Sequence, residues 1–482
     1  MQQDDGSTVG KLNREYGKVS MDQLISAACM GDDSKPKYLA IAEELARSIG
    51  GHQLATGDKL PPQRDLARHL GVTTGTVSRA YASLQRQGLA TCRVGDGTYV
   101  RAPAQTATKS SADLPGTLID LAHNVAIPSE DVQALQLALD EISTDPKALR
   151  QALSYQRESG LLRHREAGAK WLRRFGTNGN GERVMITHGA QHGMACVLRT
   201  LARPGDTVLT EPLSYPGLLA LARLMRLQLI GVETDDEGLL PQALERAAKT
   251  FGAKLMFCSP TLHNPTSSTM SIRRREDIAQ VARRCGLLVI EDCVHAAAQA
   301  APLPALSTWL PEQSFLLSSF SKVVAPGLRV GFLEAAPVWL DKFAATMRAD
   351  CWMVAPMLSE IASRWIDSGA IEHLTTLQRR LIGQRLARAR ELLDGLDFRA
   401  DPDYPMLWLP LPEPWRAGQF ATALRQAGVL VRTADHFAVG RSPAPHIVRI
   451  SLNAPHSMEQ LVDGLSALKA LIDSPRSAPM DP

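Results

Sequence analysis

At 482 residues the chain exceeds one ordinary domain, and about three units of roughly 150 residues are the expectation. Its 44% hydrophobic and 21% charged residues are those of a folded globular protein, which excludes wholesale disorder. No apolar run reaches the roughly 18 residues of a membrane span, and the polar, acidic start Met1-Gln2-Gln3-Asp4-Asp5 is no secretory leader. The seven scattered cysteines form no C-x-x-C pair, which argues against a disulfide framework or a metal site. A soluble cytoplasmic chain with reduced thiols is therefore expected.

The net charge of +3 is unevenly spread. Residues 35–101 carry ten Lys or Arg against five acids, a local +5 that leaves −2 for everything else. A basic module on a near-neutral body is the footprint of a nucleic-acid binder, although solvated helix faces give similar counts. Residues 1–34 are polar apart from Leu24–Met30 and read as an extension. Leu39, Ile41, Ala42, Leu45, Ala46 and Ile49 then keep helical spacing over Tyr38–Ile49, until Gly50-Gly51 stop that helix. Pro61-Pro62 open a second helix, Pro62–Leu70, which Gly71 ends. Thr73 reads as the N-cap of a third, running through Val77, Ala80, Tyr81 and Leu84 to Gly88. The β segments Leu89–Val94 and Thr98–Val100 flank Gly95-Asp96-Gly97 and form a hairpin, and residues 102–117, rich in Ala, Ser, Thr and Pro, read as a linker.

Two short helices parted by Gly71 and followed by a basic hairpin make a helix-turn-helix with a wing. The second helix of the pair would enter the major groove, where Thr73, Thr74, Thr76 and Ser78 offer short hydroxyls to phosphates or bases. Arg64, at the start of the preceding helix, has the fork that fits a guanine edge. A small helical unit that binds protein would show the same spacing. The residues themselves say more. Gly57–Val100 resembles the GntR-type winged helix over nearly its whole length, through LP-x-x-R-x-LA (Leu60–Ala67), TVSRAY (Thr76–Tyr81) and the wing G-x-GT-x-V (Gly95–Val100). The resemblance implies that Arg64, Thr73, Thr76 and Gly95 contact double-stranded DNA. Thr74 stands where members of that family often carry an arginine.

Beyond Leu118 strands alternate with helices. Arg183–Thr187, Thr207–Thr210, Leu227–Val232, Lys254–Ser259, Leu287–Glu291, Phe315–Ser318 and Arg329–Phe332 read as buried strands, and helices separate most of them, as βαβ units require. The fold class is thus α/β, a mostly parallel sheet with a smaller C-terminal α/β lobe from about residue 340. The chemistry gathers around Lys322. Ser319 and Ser321 precede it and Arg329 follows, so one free amine stands among groups suited to a phosphate. A lysine in a Ser-rich loop would on its own be an ordinary surface residue.

Other runs bear on it. Leu287–Ile290 ends in Glu291-Asp292, and ligands of parallel sheets bind at the carboxyl ends of strands. Thr187–Gly193 closes a strand and opens a helix whose first N–H groups can hold phosphate. Tyr215 follows the next strand and could stack on a flat ring, and Asn264 sits on a Pro-framed loop where its amide could donate to a phenolate oxygen.

In this order and at these intervals, residues 118–472 resemble the class I/II aminotransferases, which are fold type I pyridoxal-phosphate enzymes. The resemblance implies that Lys322 is the Schiff-base lysine, Asp292 the partner of the pyridine nitrogen, Asn264 a donor to the ring oxygen and Tyr215 the stacking ring. It gives the phosphate to Ala190, Gln191, Ser319, Ser321 and Arg329, and the α-carboxylate of an amino substrate to Arg449 in HIVRISL. Two positions depart from the family. His295 replaces a tyrosine, and its imidazole could donate to the ring oxygen with a charge that changes near neutral pH; Ser267 replaces the glycine of N-P-T-G.

A GntR-like winged helix joined to such a domain is the MocR arrangement. It implies a transcriptional regulator, a homodimer with exchanged DNA-binding domains, that senses an amino compound or pyridoxal phosphate itself. The same retained residues would serve a working aminotransferase in which DNA binding is secondary. The resulting plan is an extension over 1–34, a winged helix over 35–101, a linker over 102–117, the aminotransferase-like domain over 118–472 and a tail over 473–482.

Overall fold

Helical spacing of apolar side chains assembles the N-terminal unit. In the computed structural model, which describes residues 36–50, 54, 58–86, 89–93, 97–100, 118–127, 132–440 and 444–474, this unit contains α1 (Lys37–Gly50), α2 (Gln63–His69) and α3 (Thr74–Arg86). Ile41, Leu45, Leu66, Val77, Tyr81 and Leu84 meet in its core. Tyr81 pays for its burial with a hydrogen bond, its hydroxyl donating to the Pro61 carbonyl at 2.7 Å. The hairpin follows as β1 (Ala90–Arg93) and β2 (Gly97–Val100), antiparallel with Ala90 opposite Val100 and Arg93 opposite Gly97. The extension, the linker, the tail beyond Ser474 and the wing glycine Gly95 lie outside the described residues.

The second unit, described from Leu118 onward, is built on one seven-stranded sheet. After β3 (Ile119–Asp120), the chain supplies β4 (Val184–Thr187), helix α4 (Gly189–Leu201), β5 (Thr207–Thr210), β6 (Gln228–Gly231), β7 (Leu255–Cys258), helix α5 (Ile272–Cys285), β8 (Leu288–Asp292), β9 (Ser314–Ser319) and β10 (Gly331–Glu334). The order across the sheet is β4-β10-β9-β8-β7-β5-β6, and only β10 runs antiparallel to its neighbours. All seven strands expected from the sequence are these strands, with ends moved by one or two residues. Every residue of β4, β7 and β9 is buried, as a sheet covered on both faces requires. The expectation of a buried strand fails for β6, one of the two edge strands, where Gln228 and Gly231 are exposed.

Long helix α6 (Ala370–Leu392) leads into the smaller lobe. There β11 (Met406–Pro410), β12 (Val429–Leu430), β13 (Arg432–Thr433) and β14 (Ile447–Ser451) precede helix α7 (Met458–Asp473), and β11-β14-β13 form an antiparallel sheet. Leu386, Leu407, Leu409, Phe420, Val448, Ile450 and Leu465 share the lobe's core. The lobe begins later than the expected residue 340, because Leu340, Phe343, Ile361, Trp365 and Ile371 still pack into the core of the large sheet. It also recruits the start of the domain: β3 pairs in parallel with β12, Ile119 opposite Val429.

Candidate functional site

In the winged helix, Arg64, Thr73, Thr74 and Ser78 are exposed and Thr76 is half-buried. Thr73 acts on its own helix, accepting the Thr76 N–H at 3.2 Å and lying 2.9 Å from the Thr76 hydroxyl, which occupies one orphan donor at the start of α3. Thr73 and Thr76 line a groove with Lys37, Gly75 and Arg79. Lys37 and Arg79 thus add two cations to the surface that the motif reading centred on hydroxyls.

In the second unit a cavity of about 630 Å³, counted to its open mouth, lies where the strands end. Ala190, Gln191, Tyr215, Asn264, Asp292, His295, Ser319, Ser321, Lys322 and Arg329 all line it. These residues stand at or just beyond the carboxyl ends of β4, β5, β7, β8 and β9, so the sheet gathers side chains spread over 140 positions of sequence. Arg449, on β14 of the small lobe, reaches the same place by donating from Nη1 to Asn264 Oδ1 at 2.8 Å.

The phosphate end is built first by backbone. Helix α4 starts at Gly189 without a side-chain cap, which leaves first-turn N–H groups for an anion. Gly189 has φ +76°, a conformation costly for other residues, and a Cβ on Gly331 would come within 2.5 Å of the Gly189 carbonyl carbon. Two glycines therefore press the turn against β10. Across from it Arg329 donates from Nη1 to Ser321 Oγ at 3.2 Å and from Nη2 to the His188 carbonyl at 3.3 Å. Buried Gln191 Oε1 has no partner among the described residues.

At the other end Lys322 Nζ donates to the Asn124 carbonyl at 2.6 Å. Burial, helped by the charges of Arg449 and Arg329 and opposed by Asp292, pulls its amine down to about 8. Asp292 Oδ1 accepts the Val294 N–H at 2.9 Å. Burial pushes this carboxyl up to about 6, and Glu211, itself pushed up to about 7 by burial, adds to the rise. A cationic ring nitrogen beside it would draw that value back down and so complete the ionisation of Asp292 at neutral pH. Arg449 takes up Asn264 Oδ1, which leaves the Asn264 NH₂ as a donor. Burial also pushes the Tyr215 phenol up to about 12, so it stays neutral. A planar, phosphorylated pyridine bearing an aldehyde fits this set of donors, carboxylate and amine.

A scan against family models matches aminotransferase class I and II over residues 119–468 and the bacterial regulatory gntR family over 37–100. The chain belongs to the aminotransferase class I and II family. With the gntR module ahead of it, this family member has the MocR arrangement. It is 30% identical over 440 residues to the HTH-type transcriptional regulator YdeF of Bacillus subtilis, covering 91% of this chain and 95% of that one. It is 27% identical to the vitamin B6 salvage pathway transcriptional repressor PtsJ of Salmonella typhimurium, over 87% of this chain and 95% of the relative. Among solved structures, the kynurenine aminotransferase of Pyrococcus horikoshii superposes with a TM-score of 0.68 at 22% identity, over 79% of this chain and 98% of that one, which shows fold type I.

Within this family fold, His295 corrects the expectation drawn from it. Burial, with the charges of Lys322 and Arg449, holds the imidazole well below the ordinary histidine value, so its charge does not change near neutral pH. Its Nε2 lies 2.9 Å from Asn124 Nδ2 and accepts that amide's hydrogen, so this nitrogen cannot also donate to a ring oxygen. Ser267 sits at φ +59°, where the family's glycine would be unstrained. With Leu262 at φ +50° and Arg329 at φ +52°, three of the five non-glycine residues found at positive φ lie in the loops carrying Asn264 and Lys322.

Three residues escaped the motif reading. Asn124 follows β3 and holds Lys322 through its carbonyl, which leaves no side-chain signature. Arg275 looks like part of a solvated RRRE run but is fully buried, in phase with Ile278, Ala279 and Ala282 on one face of α5. It donates to the Met270 and Pro260 carbonyls at 3.0 and 3.1 Å and to Thr261 Oγ1 at 2.6 Å, clamping the loop that presents Asn264. Its helical phase was the available signal. Tyr404 packs its ring edge on His295, with centroids 5.0 Å apart, and its neighbours come together only in the fold.

Proposed function

We propose that this chain is a DNA-binding transcriptional regulator whose second unit holds pyridoxal phosphate and answers an amino compound or pyridoxal phosphate itself. One observation carries the reading: a gntR-matched winged helix shares the chain with a cavity where Lys322, Asp292, Asn264 and an uncapped helix N-terminus converge. Bound there, pyridoxal phosphate supplies an aldehyde for an amine and a ring that withdraws electrons. Lys322 offers the amine; Asp292 holds a proton at the ring nitrogen; Asn264 donates to the ring oxygen and Tyr215 packs on the ring. Ala190, Gln191, Ser319, Ser321 and Arg329 take the phosphate. Arg449 is the binding residue for a ligand carboxylate. PtsJ, named for vitamin B6 salvage, supports the cofactor side of the reading.

On the DNA side, Arg64 would read a base edge while Lys37 and Arg79 join Thr74, Thr76 and Ser78 at phosphates. The chain would act in the cytoplasm as a homodimer. Val132, Leu137, Leu153, Tyr155 and Trp352 are exposed, Leu153 at 91%, and a second copy would remove this apolar surface from water. Among the described residues no helix is long and apolar enough to cross a membrane.

The test is spectroscopic. Full-length protein mixed with pyridoxal phosphate should gain a visible band and, after borohydride, a covalent adduct on Lys322 found by peptide mass. Lys322→Ala should lose both. A persisting adduct would move the cofactor to another lysine and overturn the assignment. A ketoacid released on adding amino acids would favour the working aminotransferase.

A further inference from the structure

The sheet of the small lobe separates its side chains strictly. In β14, Val448 and Ile450, with Leu452 beyond them, turn into the lobe core along with Leu407 and Leu409 of β11. Alternation and register put Arg449, Ser451 and Met406 on the opposite face, since Arg449 pairs with Trp408 and Ser451 with Met406. Leu452 N–H donates to the Pro405 carbonyl at 2.8 Å, which carries the same register on to Tyr404 and Asn453. This second face is buried yet polar. Arg449 Nε, Ser451 Oγ, both amide atoms of Asn453 and Tyr404 Oη are all buried without a hydrogen-bond partner among the described residues.

Buried polar groups left unpaired are costly, and such a face is stable only with polar matter against it. Tyr404 is 1% exposed and stands behind the cavity wall, its ring packed on the lining residue His295 and sharing an apolar cluster with Leu262 and Met406. Arg449 has committed Nη1 to Asn264 and Nη2 to the Ala122 carbonyl, so Nε marks the free edge of the guanidinium. A carboxylate has about four acceptor positions, and one guanidinium edge fills two of them. Burying the remainder needs another donor. The charge of Arg449 acts on the Tyr404 phenol more strongly than any other, and the converse also holds, so the two groups lie close together.

We infer that the Tyr404 hydroxyl is a second donor to the carboxylate that Arg449 receives, making the site selective for amino acids over the corresponding amines. The inference rests on the cofactor reading above and names the ligand class for it. Tyr404 would donate its O–H to one carboxylate oxygen while Arg449 engages the group through its Nε edge. No bond to carbon is made or broken by either residue.

The experiment uses full-length protein loaded with pyridoxal phosphate, as wild type and Tyr404→Phe, which keeps the ring against His295. Visible absorbance is titrated with the twenty L-amino acids and then, for the tightest of them, with the amine lacking its carboxylate. Tyr404→Phe should weaken the amino acid by about 10- to 100-fold, the range for a hydrogen bond to a charged group. Binding of the amine and the cofactor spectrum before titration should stay as in wild type. Equal weakening of amino acid and amine, or an altered starting spectrum, would assign the hydroxyl to packing or to the cofactor ring and overturn the inference. Unchanged amino-acid affinity would overturn it alone. A wild type that takes up the cofactor but answers no amino acid would sink both this inference and the amino-compound reading.

Discussion

In the winged helix the groups offered to a ligand stand in water. Arg64, Thr74, Ser78 and Arg79 are exposed, and the hydroxyl of Thr73 is occupied by its own helix. In the second unit the corresponding groups are taken out of water. Lys322 is pulled down to about 8, Asp292 is pushed up to about 6 and Arg449 is pulled down to about 10, each chiefly by burial. On the proposed reading both surfaces take a phosphate, and they would obtain it by different physics. Exposed cations act by number and are screened by salt; buried groups act through desolvation and fixed geometry, and their protonation states decide what they hold. Salt should therefore break the first interaction and pH the second.

The largest effect belongs to the buried side. Only the neutral amine of Lys322 attacks an aldehyde, and its lowered value raises that form to about a tenth of the population at pH 7, far above that of an ordinary lysine. The rate of covalent capture of pyridoxal phosphate should rise about tenfold per pH unit below about 8 and level off above it, as stopped-flow absorbance can follow. His295 stays neutral in this range, so His295→Gln should leave the position of that break unchanged. A rise continuing to the ordinary lysine value of about 10.4 would show that Lys322 is not held as described.

On the exposed side the expectation is smaller and of another kind. Arg64→Ala should cost about 1–3 kcal/mol on the preferred sequence if the guanidinium forks onto a guanine. Lys37→Ala and Arg79→Ala should instead weaken preferred and random DNA alike and flatten the salt dependence. Fluorescence anisotropy at several salt concentrations separates the two classes. Equal loss on both DNAs for Arg64→Ala would demote it to a phosphate contact.

The smallest effect sits in the Asn264 loop. Ser267→Gly relieves a left-handed backbone at φ +59° and should raise stability by about 1 kcal/mol, read as a higher denaturant midpoint. No gain would mean that the serine's own contacts offset the backbone cost.

How far these features could be read in sequence differs between the two regions for related reasons. The seven strands were legible because sheets covered on both faces favour continuous apolar runs, and β7 and β9 supply them as LMFC and as the FLL within SFLLSS. The ten cavity-lining residues expected from the sequence were legible because they stand at or just beyond the ends of such strands. Asn124, Arg275 and Tyr404 were not, for three separate causes. Asn124 holds Lys322 by a carbonyl that every residue possesses. Arg275 hides in a charged run and shows itself only by helical phase. Tyr404 acquires His295 from the segment after β8 and Arg449 from β14, more than 40 residues distant on either side. The pairing of β3 with β12 links residues 119 and 429, and a two-residue strand carries too little pattern to announce it.

The central claim is that occupation of the Lys322 cavity alters DNA binding. Its most direct test is the affinity of full-length protein for its operator at fixed salt, measured with and without pyridoxal phosphate, for wild type and Lys322→Ala. The account predicts a change in affinity when the wild type is loaded and none for Lys322→Ala at the same concentration. Identical isotherms for loaded and unloaded wild type, with the covalent adduct verified on Lys322, would contradict it.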